Sequence, residues 1–420
     1  MPIDDLKLSD PDFFAHGDPH GLFTELRRDD PVHLTRGRYG KNFWSVTKMD
    51  DIRTVFRDPL LFSSQRYGPT LHTEAELADP NKSEHARLQQ LGAMMPSTDP
   101  PRHGKLRAAF ADRFAPSQIG ALESRMRDIV RCILDETLAQ EQFDFARQVS
   151  ARLPAQVIFS LMDIPRPDWD TLFRFAYMHA APTDPEFQVG TPLQTRQQGA
   201  GGLFGYCQDL ARRRREQPGA DLLSAIATAR VDGQPLSDEE LGFNGLMFVF
   251  GGQESTRNAV SAGVLEMIKS PALIKTLRDE PTLLATVPDE FVRWASPVAH
   301  LMRTATRDCE LGGKQIREND WVVCWMVSAN RDEDVFDHAH ELDPARAPNP
   351  HLGFGFGPHF CLGAHLARLE VRILIEELLE RVEHIELAGP VERVSSIQFC
   401  GIKRMPVKVR LRAPARVTHG

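Results

Sequence analysis

The sequence predicts a mainly α-helical protein built as one large unit, and three observations predict it. Apolar residues recur at three- and four-residue steps over several long stretches, the period of a helix with one buried face. Strand-like runs are short and sit near the two ends of the chain. No internal repeat, low-complexity tract or linker divides the 420 residues, and 41% hydrophobic content is enough to bury a large core.

Along the chain, "NFWSVT" (42–47) reads as the first strand, rich in aromatic and β-branched residues. Residues 65–98 resist regular structure and are long for a connection in a compact domain, which makes them a candidate access loop. Residues 117–140 place Ile119, Leu122, Met126, Ile129, Ile133 and Leu134 on one helical face, with Ser117 as the expected cap. Further helices are predicted over 151–163, 203–216 and 364–383. Between them 179–201, rich in Gly, Pro, Thr and Gln, is a second candidate access loop. "ARRRRE" (211–216) reads as a solvated helix end. "WVVCWMV" (321–327) and "MPVKVRL" (405–411) complete the strand signals, and residues 1–420 read as a single domain.

Composition narrows the function. A net charge of −8 argues against nucleic acid as the main partner, since phosphate binding needs clustered cations. The amino terminus has neither a basic n-region nor an apolar run, and no stretch approaches eighteen consecutive apolar residues, so a soluble cytoplasmic protein off the membrane is expected. Six cysteines are scattered without a CxxC pair, which suggests neither a disulfide framework nor a zinc site.

One cysteine stands apart. In "FGFGPHFCLG" (354–363), Gly355 and Gly357 permit turns closed to other residues, and a helix is predicted to start just after Cys361. Free N–H groups and the positive end of the helix dipole are expected to lower the thiol's pKa and favour a metal-ligating thiolate. A catalytic nucleophile would want a base oriented on it, and His359 is only two residues away. A zinc or iron–sulfur site would want three more local ligands. A haem iron needs one axial thiolate. The spacing of Phe354, Gly357, His359, Cys361 and Gly363 arises by chance in a chain of this length about once in ten thousand.

At these residues the chain resembles the cytochrome P-450 family, soluble bacterial-type haem-thiolate monooxygenases. The resemblance runs from about residue 10 to 412 in four stretches in the family's order: "DPPRHGKLR" (99–107), "FGGQESTRNA" (250–259), "EFVR" with Glu290 and Arg293, and the cysteine loop. It implies the cytochrome P-450 fold, a large helical domain with small β-sheets near the N-terminus and C-terminus. It also implies haem b (iron protoporphyrin IX) with Cys361 as iron ligand, packed by Phe354, Gly355 and Gly363. His103, Arg107, Arg303 and His359 fall where the family holds the haem propionates, and arginine's fork suits a carboxylate. Glu290 and Arg293, three apart on one helix face, suit an ion pair, and the resemblance makes it a buried structural lock.

Two glycines inside a predicted helix, Gly251 and Gly252, each cost about 1 kcal/mol relative to Ala. Close passage over a flat macrocycle is a sufficient reason, and a tight helix crossing is the rival. The resemblance makes Glu254 and Ser255 the proton relay. Two departures stand out. Ser255 occupies a position where the family commonly has Thr. The usual Pro-x-Arg-Phe reads Ala339-His340-Glu341-Leu342, so the arginine expected beside the Glu290 and Arg293 lock is missing, with Arg346 or His340 as substitutes.

The implied activity is a monooxygenase that inserts one atom of O2 into a medium to large hydrophobic substrate, whether sterol, terpenoid or lipid, or a polyketide or peptide of secondary metabolism. Positions matching the family's substrate-facing stretches are Leu246, Met247, Val249 and Phe250, then Val298 to Leu301 with His300, and Ile397 to Phe399 with Gln398. Electrons are expected from a ferredoxin and ferredoxin reductase, docking where Arg102, Lys105, Arg107, Arg113 and Arg368 cluster, on a monomer. The alternatives are a peroxide-using or oxidatively coupling haem-thiolate enzyme, and a non-catalytic haem or ligand-binding protein.

Overall fold

β-Branched and aromatic residues near both ends of the sequence meet in one twisted sheet. Its strands are β1 (Val32–Thr35), β2 (Phe43–Val46), β3 (Phe62–Ser63), β4 (His300–Ala305) and β5 (Trp321–Trp325), in the spatial order β1-β2-β5-β4-β3. β5 lies parallel to β2, with Val322 opposite Trp44, and antiparallel to β4, with Val322 opposite Arg303. Every residue of β5 is buried, as a central strand covered on both faces requires. A smaller three-stranded sheet joins Val382–Leu387 and Pro406–Leu411 to Gln142–Asp144. The computed structural model describes residues 4–37, 41–71 and 92–412.

The rest is mostly helical. The site is built on α1 (Met49–Arg57), α2 (Arg102–Ala111), α3 (Glu123–Leu138), α4 (Arg152–Leu161), α5 (Trp169–Ala180), α6 (Pro192–Glu216), α7 (Asp238–Lys269), α8 (Val287–Ala295) and α9 (Ala364–Arg381). A capping box opens α7: Ser237 accepts from the Glu240 N–H, and Glu240 accepts from the Ser237 N–H at 2.8 Å. α7 runs 32 residues and buries Leu241, Val249, Val260 and Leu265 on different sides, which makes it the axis of the main core. Glycines set its distance from its neighbours. A Cβ on Gly242 would lie 2.5 Å from the Phe204 ring of α6, and one on Gly263 would lie 2.0 Å from Phe291 of α8.

Several expectations need correction. The helix expected over 117–140 is two, Pro116–Gly120 and α3, and Ser117 is not its cap. Pro116 at N1 starts the first piece a residue earlier, and Gly120, a poor helix former, falls at the break. The irregular segment 179–201 is helical from Pro192, because Thr191 and Gln194 form a second capping box. Gly199 stays helical because it permits a close crossing: a Cβ there would stand 2.6 Å from the Phe175 carbonyl of α5. "ARRRRE" is more than a solvated face, since Arg212 and Arg215 pair with Asp238 and Arg214 with Asp163. Of the candidate loop 65–98, residues 72–91 lie outside the described residues.

Candidate active site

The glycine-rich loop before α9 is held by its own backbone. Gly355 and Gly357 have φ of 72° and 69°, the left-handed region that strains any other residue. A Cβ on Gly357 would also stand 2.7 Å from the Phe56 carbonyl of α1. The Cys361 N–H donates to the Phe354 carbonyl at 2.8 Å, closing the loop. Arg107 on α2 donates to the Phe360 carbonyl at 2.6 Å. Arg368 lies 4.6 Å over the Phe354 ring and forks onto Asp289, whose carboxyl falls to about 2 despite burial because His351 and Arg368 bond it.

Cys361 opens onto a cavity of about 300 Å³ and is otherwise enclosed by protein. Enclosure dominates its thiol. Burial pushes the pKa up, and the Gly363 N–H, Arg107 and Arg368 offset only part of that rise. The expectation of a lowered thiol therefore fails for the side chain alone: stabilising the thiolate here needs a further positive charge, which a metal ion supplies.

The cavity also gathers two arginines and two histidines. His103 and His359 stack at 3.8 Å between ring centroids, and Arg107 and Arg303 stand beside them. Burial first, then the neighbouring arginines, hold His103 near pKa 4 and His359 near pKa 2. Arg303 is 3% exposed and lowered by burial to about 10. Asp99 is an acid felt by both His103 and Arg303, and Ser63 and the Ser64 N–H already engage it. Two arginine cations and two neutral histidine donors, with a thiol at one wall, fit a flat, dianionic, metal-bearing ligand such as haem.

α7 supplies another wall through Met247, Phe248, Gly251, Gly252, Ser255, Thr256 and Ala259. These positions advance in steps of about four and mark one helical face. Gly251 has open space where a Cβ would go, so the cavity and not a helix crossing accounts for it. Ser255 Oγ donates to the Gly251 carbonyl at 3.1 Å. Glu254 does not line the cavity. It is 4% exposed and paired with Arg257 at 2.9 Å, and Arg257 in turn donates to the Ile402 carbonyl at 2.7 Å.

Cys361, His103, Arg107, Arg303, His359, Phe354, Gly355, Gly363, Gly251, Gly252, Ser255, Val298 and Leu301 all line this cavity. Leu246, Val249, Phe250, His300, Gln398 and Phe399 do not. Leu246 and Val249 point into the core from other faces of α7. Phe250 packs edge-on against Phe399 at 5.6 Å. His300 is buried against Trp325, and its rings' nitrogens bond the Ile397 carbonyl and the Leu71 N–H. Gln398 faces Arg196. Met95, Phe114, Ile158, Phe248 and Thr256 line the cavity and were missed. Stepping by four from Gly251 and Gly252 points to Phe248 and Thr256; Met95, Phe114 and Ile158 come from other helices and leave no such signal.

Glu290 and Arg293 form a two-pronged pair on α8 at 2.8 and 2.7 Å, with both side chains buried. Arg346 stands 3.3 Å from Glu290 and takes the missing third place. His340 turns to Glu333 instead.

A helical fold around a cysteine loop, a cationic patch and a glycine-notched helix defines a haem-thiolate enzyme. The comparisons agree. The cytochrome P450 family model matches residues 205–394. Linalool 8-monooxygenase of Pseudomonas putida is 34% identical, covering 95% of this chain and 98% of that protein. Steroid C26-monooxygenase of Mycolicibacterium smegmatis is 35% identical, covering 91% and 88%. A Mycobacterium marinum cytochrome P450 solved with pseudoionone superposes with a TM-score of 0.88 at 33% identity, covering 97% of this chain and 99% of that one. This chain belongs to the cytochrome P450 family. It is an oxidoreductase of the monooxygenase class whose cofactor is haem b with a cysteine thiolate ligand. Among the described residues no helix is long and apolar enough to cross a membrane.

Proposed function

We propose that this enzyme hydroxylates terpenoid, steroid or branched-lipid substrates of medium to large size, with Cys361 as the iron ligand and Arg107, Arg303, His103 and His359 holding the propionates. The observation that carries this reading is the cavity itself, where Cys361 and four cationic or basic side chains share one space with the apolar surface of Met95, Phe114, Ile158, Met247, Phe248, Val298 and Leu301. The linalool and steroid monooxygenases support the substrate class.

The haem, when bound, supplies reductive activation of dioxygen. The chain's own residues control access and protons. The apolar walls favour a substrate that gives up its hydration and exclude water. Ser255 Oγ is the hydroxyl that passes a proton into the cavity, and Gly251 leaves room beside it. Glu254 stands one residue behind as the relay: its carboxylate, once it leaves Arg257, takes up a proton from water and hands it on toward Ser255.

Electrons come from a ferredoxin and its reductase in this reading. The patch expected to receive it carries less free charge than the sequence suggests, because Arg102 pairs with Glu240, Lys105 with Asp232 and Arg368 with Asp289, while Arg107 turns inward. Those carboxylates leave little unpaired charge to steer an acidic partner, so reduction is expected to slow only modestly as salt rises. The substrate reading is tested by titrating acyclic terpenoids, sterols, branched fatty acids, macrolides and cyclic peptides against the Soret band. A low- to high-spin shift from members of the first three classes is expected, and shifts from macrolides or peptides alone would overturn the assignment.

A further inference from the structure

A second cleft, about 740 Å³, lies between α4, α5 and the strand Ile402–Arg404, and it shares no described residue with the haem cavity. Its apolar wall is aromatic. Phe159 meets Trp169 at 5.6 Å, and Phe173 meets Tyr177 at 4.8 Å. Five basic side chains line it against three acidic ones. Four of the five are already engaged: Arg147 and Arg404 by Glu186, Lys403 by Asp184, and Arg152 by Glu136. Arg166, exposed at the mouth, is not. Its guanidinium lies 4.4 Å over the Trp169 ring, and no described carboxylate pairs with it.

The floor carries a second, independent signal. Gln156 is 8% exposed and Tyr177 is 4% exposed, both line the cleft, and neither the amide nor the hydroxyl has a hydrogen-bond partner among the described residues. Both residues are largely buried, yet their polar ends are not enclosed and open onto the cleft, where a ligand group can bond them. A cation at the mouth, aromatic walls and unpaired hydrogen-bonding groups at the floor together describe the recognition of one kind of molecule.

We propose that this cleft is a second ligand site for a hydroxylated aromatic carboxylate. Arg166 pairs with the carboxylate, Trp169 and Phe173 cover the ring, and Gln156 and Tyr177 bond the distal hydroxyl. The test is calorimetric titration of 6-hydroxy-2-naphthoate into the haem-loaded enzyme, with its haem cavity filled by a saturating haem-ligating azole. One equivalent is expected to bind. Arg166→Glu is expected to weaken it at least fivefold, and Tyr177→Phe to weaken it more than it weakens 2-naphthoate, with both variants keeping the azole-induced Soret shift that reports an intact fold. Loss of binding when azole fills the haem cavity, unchanged affinity in Arg166→Glu, or equal effects of Tyr177→Phe on the two naphthoates would overturn the proposal.

Discussion

Two glutamate–arginine pairs in this enzyme have the same spacing and nearly the same length, yet their surroundings differ. Glu290 and Arg293 on α8 are saturated. Arg293 also donates to the carbonyls of Asn330, Ala339 and Glu341, and Glu290 also accepts from the Asp343 N–H, Asn349 and Arg346. Glu254 and Arg257 on α7 are not. Among the described residues Glu254 accepts from Arg257 alone, Arg257 Nε has no partner, and the nearby Gln253, Asn258 and Ser261 leave side-chain atoms unsatisfied as well. A saturated pair fixes structure because every alternative breaks several bonds at once. An unsaturated one beside a cavity can be rearranged for one bond, which is what a group that delivers protons requires.

The sharpest way to break this comparison is to make the same change in both. Glu290→Gln strips charge from a pair with many partners and is expected to cost about 3–5 kcal/mol, read as a lost or strongly shifted urea transition. Glu254→Gln is expected to cost about 1–3 kcal/mol by the same measurement. Equal costs would remove the distinction. In turnover the order reverses: Glu254→Gln is expected to lower product formation about 100-fold with the substrate-induced spin shift intact. Ser255→Ala removes one hydroxyl and is expected to cost about 1 kcal/mol, roughly fivefold, in product formed per electron pair, read from product against reductant consumed.

Glu370 on α9 extends the comparison to an acid with no hydrogen-bond partner among the described residues. It is 1% exposed, lines the haem cavity, and burial alone pushes its carboxyl well up. Because the folded state holds this proton more tightly than the unfolded chain does, stability is retained at low pH and declines as pH climbs past the ordinary glutamate range, about 4.3, toward the raised folded value. Glu370→Gln is expected to remove that decline and gain on the order of 1 kcal/mol at neutral pH. A variant with an unchanged pH slope would contradict this. The smallest effect is assigned to Arg346→Lys, about 0.5–1 kcal/mol, since it loosens one contact of a pair that keeps its other bonds.

What was legible in the sequence followed from how local the determinants are. The cysteine loop spells its geometry in ten contiguous residues, because Gly355 and Gly357 are needed at their own positions. The face of α7 was half legible. Gly251, Gly252 and Ser255 stood out by type, whereas Leu246, Val249 and Phe250 came with Met247 as one whole stretch matching the family's substrate-facing positions, with no selection by helical angle. His300, Gln398 and Phe399 were out of reach, since only the bridge between Val298 and Phe399 and the hydrogen bond from His300 to Ile397 decide where they point. Arg346 is a long-range case too: the segment after Glu341 must fold back before its guanidinium reaches Glu290.

The account rests on a sulfur anion at position 361 bonded to haem iron. The reduced carbon monoxide complex reports that bond directly. The enzyme is expected to show the red-shifted Soret band of thiolate ligation, and Cys361→Ser is expected to lose it while still folding. The same band persisting in Cys361→Ser would contradict the assignment.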